Sequence, residues 1–153
     1  MPDWLTHTLA GWMTGRAAKM DVSLLVAGAL IPDLVKVRLA FELFHVDTHG
    51  FFDPLHTPAG ALLVAAAVAF LFPRVKQAFL LLAVGVATHF GLDLLLRHVS
   101  GGMKLLFPLS WQEWRLDVVT SGDYRMTIVA VAAAGLFYLV LQARQTSEDK
   151  RYF

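Results

Sequence analysis

Residues 78–96 form an apolar run interrupted near its end by Thr88, His89 and Asp93, with the histidine and the aspartate four apart. On a helix, residues at that spacing share a face, so the imidazole and the carboxylate project side by side. An ionisable pair inside an apolar helix is costly unless it faces a partner, a cavity or an ion. A neutral imidazole beside a carboxylate is also half of a metal site. Any fold this chain adopts has to bring further partners to that pair.

The rest of the composition narrows the choice of fold. Hydrophobic residues make up 57% of the 153-residue chain and charged residues 16%, against roughly 25% charged in soluble domains. One domain of this length has too little interior to hide so much apolar surface. The expected class is all-α: a polytopic membrane bundle of about four membrane-embedded helices plus a short N-terminal helix. Residues 1–144 make one membrane-embedded domain, and residues 145–153 a polar, frayed tail. A net charge of +1 gives no electrostatic case for nucleic acid. The absence of cysteine excludes disulfides, thiolate nucleophiles and Cys-ligated zinc, so any metal must be held by His, Asp and Glu. The first residues lack the basic and apolar regions of a signal peptide.

Taken in order, residues 5–13 read as a short helix carrying His7, followed by a polar break over 14–19. Asp21 or Ser23 suits the N-cap of the next helix. That helix is apolar over 24–31 and meets Pro32-Asp33, where proline bends or restarts it. Lys36, Arg38 and Glu42 continue an amphipathic stretch to residue 44. The segment is either a kinked span or a half-span joined to an interfacial helix. Residues 45–57 form a loop, 58–72 an apolar helix a little short for a span, and 73–77 a basic turn. After Arg97-His98 a second long loop, 99–123, carries Trp111, Trp114 and Arg115 as interfacial residues. Residues 124–141 are the cleanest membrane helix. The cations divide too evenly between the two sides to fix an orientation.

One motif repeats. Thr6-His7-Thr8-Leu9-Ala10-Gly11 and Leu55-His56-Thr57-Pro58-Ala59-Gly60 share His-Thr-x-Ala-Gly, and Thr88-His89-Phe90-Gly91 echoes it. In the full copies glycine follows histidine by four residues and lies on its face, leaving room for a neighbouring helix or a ligand. The adjacent threonine suits a hydrogen bond to a ring nitrogen or a carboxylate ligand. Small-residue helix packing alone would account for one copy, but less readily for two copies together with His89/Asp93 and Pro32-Asp33.

The candidate metal ligands are His7, His56, His89 and Asp93, with Asp33 as the fifth. Three imidazoles with one or two carboxylates suit zinc first, with manganese or iron where oxygens dominate. Asp33 or Asp93 would accept a proton in catalysis; Asp33 could instead cap the helix after Pro32. His45, His49 and His98 read as loop or helix-end residues outside the site, Asp3 as an exposed acid and Asp53 as a turn residue. Lys104 and Ser110, with Arg97, are candidates to bind a phosphate or carboxylate of the substrate, the alternative for the basic residues being interfacial anchoring.

These motifs together resemble the membrane-bound metal-dependent hydrolase family that includes LexA-regulated bacterial inner-membrane proteins. The matching residues are His7 with Gly11, Pro32-Asp33, Leu55-His56-Thr57, His89-x-x-x-Asp93 and the Gly101-Gly102 to Pro108-Leu109-Ser110 stretch. Many members carry a His-Arg-Gly-x-Thr-His-Ser box; here Phe51-Phe52-Asp53-Pro54-Leu55-His56-Thr57 keeps only its second histidine, which leaves one metal or two open. The resemblance implies hydrolysis of an ester or phosphoester, lipids included, at a divalent metal. The expected partners are the bilayer of the cell membrane, crossed several times, and a lipid or small phosphoester substrate. A membrane carrier of metal or protons, or an assembly protein in which the histidines only pack, are the alternatives.

Overall fold

The computed structural model describes residues 4–48, 50–97, 102–116, 118–120 and 124–149, with the side chains of 96, 97, 119, 120 and 146–149 left aside. The readings made for Asp3, His49, His98 and the Arg97 side chain therefore lie outside the described residues.

Helix α1 spans Trp4–Ala18 and runs straight through the polar stretch expected to break it. Its last turn holds because Gly15 packs on Val22 of the next helix while Arg16 and Lys19 point outward. The stop comes at Lys19, whose φ of 54° lets the Met20 N–H donate back to the Gly15 carbonyl at 2.9 Å. Asp21 then caps α2, Val22–Leu30, accepting the Leu24 N–H at 3.1 Å. Pro32 ends α2. The chain tightens into a 3-10 helix, Ile31–Val37, and then into the short exposed helix α3, Arg38–Leu43. This is the half-length alternative rather than the kinked span. His45, at φ 56°, terminates α3, with the Val46 N–H bonded to the Phe41 carbonyl at 3.0 Å.

A 3-10 turn, Asp53–His56, leads into α4, Pro58–Ala69. Helix α5, Val75–Leu94, follows; of the basic turn expected over 73–77, Pro73 and Arg74 stay in the turn and 75–77 begin the helix. Two-residue strands β1, Leu96–Arg97, and β2, Val119–Thr120, pair in parallel, and Met103 bridges Trp114 in the intervening loop. Helix α6 covers Arg125–Asp149. Of the residues expected to fray, 145–149 continue it, since nothing between Gln142 and Asp149 is Gly or Pro.

Helix α5 is the centre, packed by α2, α4 and α1, while α6 leans mainly on α1. Helix α4 meets its neighbours through Ala61, Ala65 and Ala69, a stripe of small residues every four positions. The closest approach is between α2 and α5. A methyl on Gly28 would strike the Leu82 backbone, and one on Gly85 would strike the Leu25 carbonyl.

Among the described residues, two helices, α5 and α6, are long and apolar enough to cross a membrane, rather than four. The apolar patterns of α2 and α4 were read correctly as helices, but their lengths are 9 and 12 residues. At about 1.5 Å per residue, α4 reaches roughly 18 Å against a hydrocarbon core of about 30 Å.

Gly85→Ala is expected to lose about 1–3 kcal/mol by forcing α2 off α5. Gly91→Ala, whose added methyl meets open space, is expected to hold or gain up to about 1 kcal/mol of stability. Thermal unfolding of the two purified variants checks the opposite signs.

Candidate metal centre

The five expected donors come from four separate segments: His7 from α1, Asp33 from the 3-10 helix after α2, His56 from the 3-10 turn before α4, and His89 and Asp93 from α5. The fold brings all five together. His7 Nε2 lies 3.4 Å from Asp93 Oδ1, while His56 Nε2 and His89 Nε2 lie 3.0 and 3.4 Å from Asp93 Oδ2. The His7 and His89 rings stack at 3.7 Å, 15° from parallel. Two trios, His7/Asp33/His89 and His56/His89/Asp93, each place one ligating atom per residue within 4.8 Å of the others, with His89 common to both.

Local chemistry explains how each donor is held. In a 3-10 register the backbone donor to the Ala29 carbonyl would be residue 32, and proline has no N–H to give. That carbonyl instead meets His89 Nδ1 at 2.7 Å. A carbonyl only accepts, so the proton of a neutral His89 sits on Nδ1 and Nε2 is left as a lone pair. The same tight helix eclipses residues three apart. Lys36 therefore sits over Asp33, its Nζ 2.7 Å from Oδ2. For His56 the anchor is Thr57, whose hydroxyl donates to the Pro54 carbonyl at 2.7 Å and accepts the Gly60 N–H at 3.2 Å. A methyl on Gly60 would collide with that same Pro54 carbonyl, which is why the motif ends in glycine. The threonine expected to steady a ligand ring thus acts on the backbone. Thr88 does likewise, donating to the Gly85 carbonyl at 2.7 Å.

The proton count of the cluster is short. The bare Nε2 of His89 points at His56 Nε2, 3.3 Å away, and at Asp93 Oδ2. His56 can donate one proton to Asp93, but nothing then satisfies the His89 lone pair. Neither nitrogen of buried His7 makes a hydrogen bond, and neither does Asp33 Oδ1. Each such atom costs on the order of 1–3 kcal/mol if left so. A neutral imidazole is the form that ligates metals. Three imidazoles and two carboxylates with unmet lone pairs fit a divalent cation.

Among the described residues the cluster is more open at His56 than at its other members. The side chains of His7, Asp33, His89 and Asp93 are no more than 1% exposed, whereas His56 is 18% exposed. Of the five, His56 alone lines a cleft of about 770 Å³, together with Lys36, Arg38, Asp53, Lys104 and Trp111. Lys104, one of the substrate-binding candidates, is among the lining residues, its Nζ 5.1 Å from the Trp111 ring. Ser110 stands outside the lining, its hydroxyl accepting the Gln112 N–H at 3.2 Å within a turn. Lys36 and Arg38 were read only as an amphipathic stretch. The signal that could have placed Lys36 was its position three residues after Asp33, next to a helix-tightening proline.

The YdjM inner membrane protein family matches residues 1–150. The chain belongs to that family. No curated protein and no solved structure matches it. Membership in the YdjM family supports the membrane part of the resemblance read from the motifs and carries no information on hydrolysis. In a YdjM inner-membrane protein the exposed apolar flank of α6, including Ile128, Val129, Leu136 and Leu139, has lipid to face.

If the unmet lone pairs are metal ligands, chelation lowers the unfolding temperature of the purified wild type by on the order of 10 °C. His89→Ala is expected to abolish that shift. Differential scanning calorimetry with and without a chelator checks it.

Proposed function

We propose that this protein is a metal-dependent hydrolase of the inner membrane that cleaves an ester or phosphoester. The observation that carries the reading is the convergence of five donors from four segments on a buried cluster that meets a cleft at His56. His7, His56, His89 and Asp93 would hold the cation, with Asp33 beside it as the base, zinc being the first choice for a set rich in imidazole. When bound, a divalent cation there polarises an ester or phosphoester oxygen and acidifies a water.

The chain's own groups do the rest. His89 is fixed in one tautomer by Ala29 and offers Nε2 inward. Asp33 Oδ1, buried and without a hydrogen bond, takes a proton from the attacking water, while Lys36 on Oδ2 holds the carboxylate's orientation. His56 stands between cluster and cleft and presents the scissile group to it. A multi-pass arrangement, in which α5 and α6 cross the bilayer and α1, α2 and α4 complete the bundle around α5, places the cleft near an interface.

A carrier built on the same cluster would need access from two sides in turn. The cleft that meets the cluster at His56 supplies the opening a hydrolase needs, which supports that reading.

Metal content by mass spectrometry of the detergent-purified wild type should be near stoichiometric, and His89→Ala/Asp93→Ala should lose it. Turnover of phosphoester substrates should fall at least a hundredfold in that double variant. A folded, never-chelated wild type without metal would sink this reading.

A further inference from the structure

We propose that the cleft beside His56 is a phosphate subsite, in which Lys104 and Lys36 hold the phosphoryl oxygens of the substrate. The proposal rests on the hydrolase reading for its reaction and narrows the substrate to a phosphoester.

The charge of the cleft is the first argument. Its lining among the described residues includes Lys36, Arg38 and Lys104. Asp33 pairs with Lys36, and Glu42 and Asp53 pair with Arg38, so Lys104 is the cation of the lining left without a carboxylate. A neutral carboxylic ester offers that ammonium no anion, whereas a phosphate does.

The partners of the three cations set their roles. Arg38 is engaged from both sides, its guanidinium 3.6 Å from Glu42 and 3.6 Å from Asp53, so it borders the cleft as part of the wall. Lys104 has no carboxylate partner among the described residues, and it rests over the Trp111 ring at 5.1 Å. A cation–π contact steadies an ammonium without using up its three donors. Lys36 spends one donor on Asp33 Oδ2 at 2.7 Å, lies 5.8 Å from the Trp4 ring and belongs to the lining of the cleft. Like His56, it joins the cluster to the cleft. A phosphate held there shares the cleft with His56, whose Nε2 is 3.0 Å from Asp93.

The same group is offered by a lipid headgroup and by a soluble phosphate ester. Equilibrium dialysis of radiolabelled inorganic phosphate against the full-length protein in detergent, with metal content measured on the same samples, tests the subsite. Lys104→Met is expected to weaken phosphate binding about tenfold with metal content unchanged, and Lys104→Arg to restore most of it. Lys36→Met also removes the partner of a buried carboxylate, so Lys104, on a loop away from the cluster, carries the decision. Phosphate binding at wild-type strength in Lys104→Met would overturn the proposal, as would a metal-loaded wild type that binds no phosphate, which leaves the hydrolase reading standing. Lysine-dependent phosphate binding by a metal-free wild type would instead uphold the subsite and remove the hydrolase. Competition by dihexanoyl phosphatidic acid at least tenfold better than by glycerol phosphate supports the subsite and assigns a lipid source. Equal competition supports it with a soluble source, and no competition by either overturns it.

Discussion

The contact between His89 and the Ala29 carbonyl is the interaction on which the site depends. It ties α5 to the end of α2 at the level of the cluster, and it does so with a carbonyl that Pro32 has left without a backbone donor. One proline thereby settles two things. It hands His89 a fixed tautomer, and it switches the next residues into the tight helix that stacks Lys36 over Asp33. A histidine free to exchange its ring proton would offer either nitrogen inward; this one offers Nε2.

That contact requires α2 and α5 to run unusually close, and Gly28 and Gly85 provide the room. The cluster is therefore bound to the packing of the bundle. The same residues that fill the centre, such as Leu25, Leu82 and Val86, set the distance between Asp33 and His89. A buried group of polar atoms held by apolar packing resists drift, because close-packed interiors shift as units rather than atom by atom.

Much of this was legible beforehand, for reasons that differ by residue. His89 and Asp93 announce themselves because four-residue spacing on a helix is fixed geometry. His7 and His56 could be picked out only because their motif repeats, and Asp33 because a carboxylate after proline in an apolar stretch is hard to explain otherwise. Lys36 was missed because its charge was read as part of an amphipathic face, although a lysine three residues after Asp33 sits beside it in either helix type. Thr57 misled for the opposite reason: a hydroxyl beside a histidine looks like a partner for the ring, yet the first turn of a helix has unpaired N–H groups that claim it. The number of spans was overcounted because an apolar helix of 12 residues and one of 20 look alike until their ends are known.

Helix α6 carries none of the five donors and touches the bundle mainly along α1, with Trp12 edge-on to Phe137 and Ala134 buried. Most of its side chains are answerable to their solvent rather than to a neighbour. Evolution can then exchange one apolar residue for another along most of this helix almost freely, and only a handful of positions facing α1 are held to a shape. The chain thus divides into a larger slow part, where the positions of atoms matter, and a smaller fast one, where only their oiliness does.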